Sequence, residues 1–316
     1  MLLNGTPISI RLGGGELSSP HDLEYNQEDS WAWAMGGDPG PQLSLGFKIC
    51  AFNVQSFGDS KAAKTTVMHN LIRIVSRCDV SLLQEVRDVK HTAIEKLLRE
   101  LNRYDEKYRY AYVASERLGR TPSYQEQYVF VYRTDSVQVL DQYQYPDEQE
   151  GDEDAFSREP FVVWFKAPKT AIGEFVLIPQ HTTPSNATKE IDELYDVFLD
   201  VKKKWKVKNV MILGDFNAAC GYVAKKNRKH IRLLTDSEFY WLIGDDVDTT
   251  VRESTSCAYD RIVVHGETFL RALEPNSAQV FPFDRKFRLT EEQALETSDH
   301  YPIEPSLNVH CVGHTR

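Results

Sequence analysis

The sequence repeatedly places a polar cluster at the end of an apolar run. Asn53 follows Ala51-Phe52, Glu85 follows Leu82-Leu83-Gln84, and Asp215 and Asn217 stand in Gly214-Asp215-Phe216-Asn217-Ala218, directly after the apolar stretch 210–213. Asp299 and His300 lie in Ser298-Asp299-His300-Tyr301-Pro302, and His181 closes Leu177-Ile178-Pro179-Gln180. Singly, each is an ordinary turn former or strand-end cap. Together they suit a hard cation such as Mg²⁺, which takes oxygen from one or two carboxylates and shares the rest of its shell with substrate phosphate. Two histidines beside such a site could divide the proton transfers, one as general base toward water and one as general acid toward a leaving oxygen. Each would need a carboxylate to set its tautomer and raise its pKa. Glu126 and Asp260 are candidates, and spacing alone does not pair them.

Such groups act together only if the strands that carry them end together. Residues 47–54, 80–86, 129–132, 161–165, 175–179, 210–213 and 262–264 read as strands, being short, apolar and rich in β-branched or aromatic side chains. Val67, Leu71, Ile74 and Val75 share one helical face between the first two strands, and Ile191, Leu194, Phe198 and Val201 predict a long helix from about 189 to 205. Many strands with few intervening helices indicate an α/β protein of two packed sheets. No internal repeat is present.

The chain has 316 residues, 41% hydrophobic and 27% charged, enough for a sizeable core. Lys and Arg number 37 against 47 Asp and Glu, a formal charge of -10 that argues against a protein held to nucleic acid or anionic membrane by global charge. No stretch approaches the about 18 apolar residues of a membrane helix. An aromatic content of 11% argues against general disorder. Residues 1–46 differ: Gly13-Gly14-Gly15, Ser18-Ser19-Pro20 and Gly36-Gly37-Asp38-Pro39-Gly40-Pro41 predict a disordered leader. This leader lacks the run of about 7–15 apolar residues of a secretory signal. A folded domain is expected over 47–309, with a short tail at 310–316. The five cysteines include no CxxC pair, which excludes a zinc ribbon. Disulfides would leave at least one of them unpaired, and spacing does not choose the pairs.

The segments Ala51-Phe52-Asn53-Val54-Gln55-Ser56-Phe57-Gly58, Gln84-Glu85-Val86-Arg87-Asp88, Ser157-Arg158-Glu159-Pro160-Phe161, Gly214-Asp215-Phe216-Asn217-Ala218, Cys257-Ala258-Tyr259-Asp260-Arg261-Ile262 and Ser298-Asp299-His300-Tyr301-Pro302 occur in the order seen in the deoxyribonuclease I family. The chain resembles that family over about 47–309, and most of all its gamma-type branch. The Asp-x-Asn and Ser-Asp-His elements are shared with the wider endonuclease, exonuclease and phosphatase superfamily. The segments around Arg158 and Asp260 narrow the resemblance to the deoxyribonuclease branch.

The resemblance implies a four-layer sandwich of two mostly antiparallel sheets flanked by helices, and an endonuclease that cuts DNA to 5′-phosphate and 3′-hydroxyl ends with weak sequence preference. It makes His181 the general acid, oriented by Glu126, and sets His300 with Asp260 on the attacking water. Asn53, Glu85, Asp215 and Asp299 would hold Mg²⁺ or Mn²⁺ with the scissile phosphate, joined by Asn217. Arg87, Tyr124, Arg158 and Asn217 would contact the DNA. Structural Ca²⁺ is implied near Asp154, with Asp147, and near Asp248. The family's disulfide would be Cys220–Cys257 and the gamma-type addition Cys50–Cys78, leaving Cys311 free.

By the same resemblance the protein is expected to be a monomer in a secreted or endoplasmic reticulum setting. Asn186-Ala187-Thr188 is a glycosylation sequon consistent with that setting. Double-stranded DNA, with chromatin as one form of it, is the expected partner, and no membrane is. Gln180 stands where relatives carry leucine before the histidine. Phe161 replaces the small alanine of the actin-binding pancreatic enzyme, from which tight actin binding is not expected. The alternatives are a phosphodiesterase for inositol or lipid phosphates, and a binding protein that has kept the fold without activity.

Overall fold

A computed structural model describes residues 46–148 and 154–310. The expected leader, all but the first residue of the tail, Cys311 and the middle of the acidic stretch lie outside the described residues. The chain builds most of one sheet, then a second, and returns to the first. The first passage comprises β1 (Phe47–Phe57), α1 (Asp59–Ala62), α2 (Thr65–Val75), β2 (Val80–Val86), α3 (Thr92–Tyr104), β3 (Tyr110–Ala114), β4 (Leu118–Thr121) and β5 (Tyr124–Arg133). The second comprises β6 (Gln138–Gln144), β7 (Phe161–Ala167), β8 (Gly173–Pro179), α4 (Ala187–Trp205), β9 (Val210–Asp215), α5 (Arg232–Thr235), β10 (Phe239–Trp241) and β11 (Asp260–His265). The return comprises α6 (Gly266–Ala272), β12 (Gln279–Val280), α7 (Phe283–Phe287), α8 (Glu291–Thr297), β13 (Ile303–Glu304) and β14 (Ser306–Leu307).

The first sheet runs β12-β13-β1-β2-β5-β3, with β14 added to β1 and β4 to β5; the second runs β10-β11-β9-β8-β7-β6. Only β1 with β2 and β8 with β9 pair in parallel. The fold is the expected α/β sandwich of two mostly antiparallel sheets.

Alternation along the strands explains the layers, because successive side chains leave opposite faces of a sheet. Ile49 and Ala51 of β1 face Phe165, Phe175, Leu177 and Leu213 of the second sheet in the central core. Phe52 and Val54 of the same strand face the helical layer, where they meet Val67, Leu71 and Leu97. In β8, Val176 and Ile178 turn outward against Ile191, Leu194 and Phe198 of α4. Covered on both faces, these strands read as unbroken apolar runs.

Both parallel pairs are joined by helical crossovers, so β1, β2, β8 and β9 all point the same chemistry toward one end of the sandwich. At that end the ladder is interrupted. The β1–β2 register shifts between Asn53 and Phe57, and the β2–β5 register shifts between Leu83 and Val86. Gln55, Ser56 and Glu85 take left-handed backbone angles, with φ of 48°, 58° and 56°. Such bulges turn side chains that would otherwise point into the layers toward the rim.

Cysteine pairing follows the resemblance. Cys50 of β1 is bonded to Cys78 ahead of β2, and Cys220 after β9 is bonded to Cys257 ahead of β11.

Candidate active site

The expected residues from both sheets converge at this rim. His181, just past β8, sets Nδ1 2.5 Å from Oε1 of Glu126 on β5, so this pair spans the two sheets. His300, in the loop before β13, sets Nδ1 2.8 Å from Oδ2 of Asp260 at the start of β11. The Nε2 atoms of both histidines lie 3.5 Å from one oxygen, Oδ2 of Asp215. The two ring nitrogens can therefore be no more than twice that distance apart.

Backbone bonds across the gap between sheets hold this arrangement. Gln84 of β2 donates through Nε2 to the Gln180 carbonyl at 2.7 Å and accepts from the Asp215 amide at 3.0 Å. The Tyr128 hydroxyl accepts from the His181 amide at 2.9 Å. Gly214 allows the close approach: its φ is +133°, and a Cβ there would lie 2.4 Å from the Gln180 carbonyl oxygen. Ser298 accepts from the His300 amide at 3.0 Å while donating to the Asn53 carbonyl at 2.6 Å. Thr249 accepts from the Asp260 amide at 3.2 Å.

Burial and charge compete at each titrating group. Burial favours neutral His300, but Asp260 and Asp215 outweigh it and raise its pKa well above the ordinary histidine value. Burial likewise opposes protonation of His181, yet Glu126 raises its pKa on balance despite the neighbouring Arg158. Desolvation pushes Asp215 up, and the two histidine charges more than reverse this. Glu126 is held low in the same way by His181 and Arg158.

The donor set fits a hard divalent cation. Oε1 of Glu85 and Oδ2 of Asp215 are drawn together because Nδ2 of Asn53 donates to both, at 3.0 and 3.2 Å. Two carboxylates that share one donor repel each other, and a cation between them would relieve this. The Oδ1 of Asn53 accepts from the Gln55 amide at 2.9 Å, so its Nδ2 is the atom turned toward the carboxylates. Ser56 supports the other Glu85 oxygen through its amide at 3.0 Å. Asn217 adopts φ of 47° and donates to the Thr182 carbonyl at 3.1 Å, beside Asp215. Asp299 is half-buried next to His300 and adds to the charge that raises it.

Arg87 and Tyr124 form an open lip beside Glu85. The guanidinium carbon lies 4.3 Å from the ring centroid, and Tyr124 is 43% exposed. Arg158, expected to contact DNA, is largely buried. It is 7% exposed, donates from Nε to the His181 carbonyl at 2.9 Å and lies 3.3 Å from Glu126, beneath the histidine. Phe161 also corrects an expectation. Its ring is buried against Phe130 in the central core, so it cannot block a surface contact, and the steric argument against actin falls away.

Asp154 and Asp248 stand in different surroundings, Asp248 two residues before the Thr250 that bridges to His300. Asp154 pairs with Arg120 and gathers with Asp147 and Glu159 into an acidic cluster. Asp248 spends Oδ1 on the Thr250 amide and hydroxyl and the Cys257 amide, at 3.0, 2.7 and 3.1 Å. Gln180, flagged as a departure, is fully buried and donates to Glu190 at 3.1 Å, which in turn takes Ser157 at 3.2 Å.

Comparison with known proteins places the chain. A profile of the Endonuclease/Exonuclease/phosphatase family matches residues 50–300. Deoxyribonuclease gamma of Homo sapiens is 50% identical over 262 residues, covering 83% of this chain and 86% of that protein. The chain belongs to this family, on its deoxyribonuclease I branch. Deoxyribonuclease-1 of Sus scrofa is 49% identical over 267 residues, covering 84% of this chain and 93% of the relative. A solved endonuclease/exonuclease/phosphatase family protein from Leptotrichia buccalis shares the fold with a TM-score of 0.60 at 14% identity, over 83% of this chain and 99% of that one. The branch resembles the gamma type, as its motifs implied.

Several residues of this deoxyribonuclease-type site were not singled out beforehand. Gln84, Tyr128, Ser298 and Thr249 act through backbone bonds. Gln84 and Ser298 each stand within a motif segment, which is the signal the sequence offers. Lys61 was missed as well: it donates to the carbonyls of Val54 and Gln55 at 2.9 and 2.7 Å, clamping the bulge that faces Glu85. Burial lowers its pKa to about 8 against the pull of Asp299 and Glu85.

Proposed function

We propose that this chain is a divalent-metal-dependent DNA endonuclease that hydrolyses phosphodiester bonds to 5′-phosphate and 3′-hydroxyl ends by acid and base catalysis from two histidines. The observation that carries the reading is the convergence of His181 and His300 on Asp215, each with a carboxylate on its far nitrogen. Nε2 of His181 delivers a proton to the leaving 3′-oxygen. Glu126 fixes the tautomer of His181 and supports its charge, while His181 and then Arg158 beneath lower the pKa of Glu126. Nε2 of His300 accepts a proton from the attacking water, with Asp260 stabilising the imidazolium that forms.

Glu85 and Asp215 would hold Mg²⁺ or Mn²⁺, with Asn53 keeping their oxygens together and Asp299 nearby. The chemistry such an ion supplies when bound is charge stabilisation on the phosphoryl oxygens. Asp260 and, after it, Asp215 raise the pKa of His300, so a cation that engages the Asp215 charge would favour the neutral imidazole that serves as a base. Arg87 and Tyr124 would grip the DNA backbone and minor groove, which reads shape rather than sequence. Structural Ca²⁺ would be taken by Asp147, Asp154 and Glu159. The two disulfides and the deoxyribonuclease relatives suit an oxidising, secretory setting.

The test is nicking of supercoiled plasmid with Mg²⁺ and Ca²⁺ present, followed by ligation of the products. Nicks that ligase reseals directly support 5′-phosphate and 3′-hydroxyl ends. Activity that survives EDTA, or nicks that cannot be resealed, would overturn the reading.

A further inference from the structure

Beyond the rim, a run of cations stands out in an acidic protein. Lys225, Lys226, Arg228, Lys229 and His230 fall within the single 3₁₀ turn Lys225–His230. Lys225, Lys226 and Lys229 are exposed and, among the described residues, make no side-chain hydrogen bond or ion pair. Arg228 is paired with Asp245, at 2.6 and 3.1 Å, a carboxylate it shares with Arg261 at 2.7 Å. Asp192, in the wall of the adjoining hollow, is committed to Arg232 at 2.9 Å. Three unneutralised lysines therefore remain side by side in a chain of formal charge -10.

A second run, Lys202, Lys203 and Lys204, has a local explanation. It closes the last turn of α4, where cations complement the helix dipole. The 225–230 turn has no comparable helix to serve.

An aromatic ladder connects this turn with the histidines. Tyr222, 43% exposed, stacks on Tyr259 with ring centroids 5.4 Å apart, and Tyr259 lies 6.3 Å from the His300 ring. Tyr222 also lines a surface hollow together with Asn186, Asn227 and His230. The rings of Tyr222 and Tyr259 thus link the hollow beside this turn to His300.

We propose that the 225–230 turn is an auxiliary DNA-binding surface, whose free lysines engage backbone phosphates of the duplex running past His300, several nucleotides from the cleaved bond. This rests on the proposed endonuclease function and adds a second grip on the duplex to it. Lysines on phosphates release condensed counterions, so each contact adds to the salt dependence of binding without adding sequence preference.

The test compares the full-length chain with a triple variant, Lys225→Gln/Lys226→Gln/Lys229→Gln, and with a charge-matched control, Lys202→Gln/Lys203→Gln/Lys204→Gln. Binding to fluorescent duplexes of about 8 and about 30 base pairs is followed by anisotropy across a salt series, with Ca²⁺ as the only divalent ion, and plasmid nicking is measured separately. The expected result is a salt slope on the long duplex smaller by about 2–3 for the triple variant, with at least about 10-fold weaker binding at low salt. The short duplex and the control variant should show no such change. An unchanged slope on the long duplex overturns the proposal, as does an equal loss for both variants or for both duplex lengths. A parent chain that binds the long duplex but nicks no DNA defeats the endonuclease reading alone, and the slope comparison still decides the surface.

Discussion

His181 and His300 reach the same oxygen of Asp215 from two different sheets, each at 3.5 Å. Asp215 therefore joins the two imidazoles, and in the proposed function it would also supply a carboxylate to the cation. Asp215→Asn should lower kcat by about 10²–10⁴-fold, as expected for loss of a group on which the acid, the base and the charge stabilisation all depend. It should also raise the Mg²⁺ concentration needed for half-maximal nicking. A metal titration of nicking rate checks both, and an unchanged half-maximal concentration would remove Asp215 from the ligand set.

Glu126 should matter through geometry and tautomer rather than by touching substrate. Glu126→Gln keeps the shape but offers His181 no charge, and Arg158 beneath it loses its counter-ion. Nicking should fall by about 10²-fold or more with little change in KM. A steady-state split of kcat from KM checks this.

The histidine pKa values make stability depend on pH in the metal-free protein. Both are raised in the folded state, so their contribution is fully present below the ordinary value of 6.5 and is lost as pH rises through the folded values. Thermal unfolding in EDTA should therefore show a melting temperature that declines as pH climbs above that value. His300→Ala should flatten the decline, since His300 is the more strongly raised. A melting temperature that rises over this range would contradict the assignment.

Gln84 tests the contact between sheets. Gln84→Leu would leave the Gln180 carbonyl and the Asp215 amide, both buried, without partners. That should cost about 1–3 kcal/mol of stability. Chemical denaturation of the parent and variant measures it.

The two disulfides should separate stability from activity. Each should contribute roughly 2–4 kcal/mol by restricting the unfolded chain. Cys257 also accepts at its carbonyl from Thr249, whose hydroxyl holds the Asp260 amide. Replacing Cys220 and Cys257 by serine should therefore lower nicking as well as melting temperature. Replacing Cys50 and Cys78 should lower melting temperature with nicking at permissive temperature retained.

The strands that carry chemistry were legible because they are buried on both faces and read as apolar runs. The edge strand β6, QVLDQYQ, faces solvent over much of its length and offers no such run, and β10, β12, β13 and β14 are too short to show a period. The stripe Ile94, Leu97 and Leu101 of α3 is present in the sequence at helical spacing. At the site, residue types and order were informative, whereas orientation was not. Whether Asn53 turns its oxygen or its nitrogen toward Glu85 depends on the Gln55 amide, brought round by a bulge. Whether Arg158 or Phe161 faces outward depends on layers that no local pattern reveals.

The most direct test of the acid and base assignment is cleavage of a duplex bearing a single 3′-S-phosphorothiolate linkage, whose thiolate leaves without needing a proton. The account predicts that His181→Ala, impaired by about 10²–10⁴-fold on the oxygen linkage, regains most of the parent rate on sulfur, while His300→Ala stays impaired on both. His181→Ala remaining as slow on sulfur as on oxygen would contradict its role as the general acid.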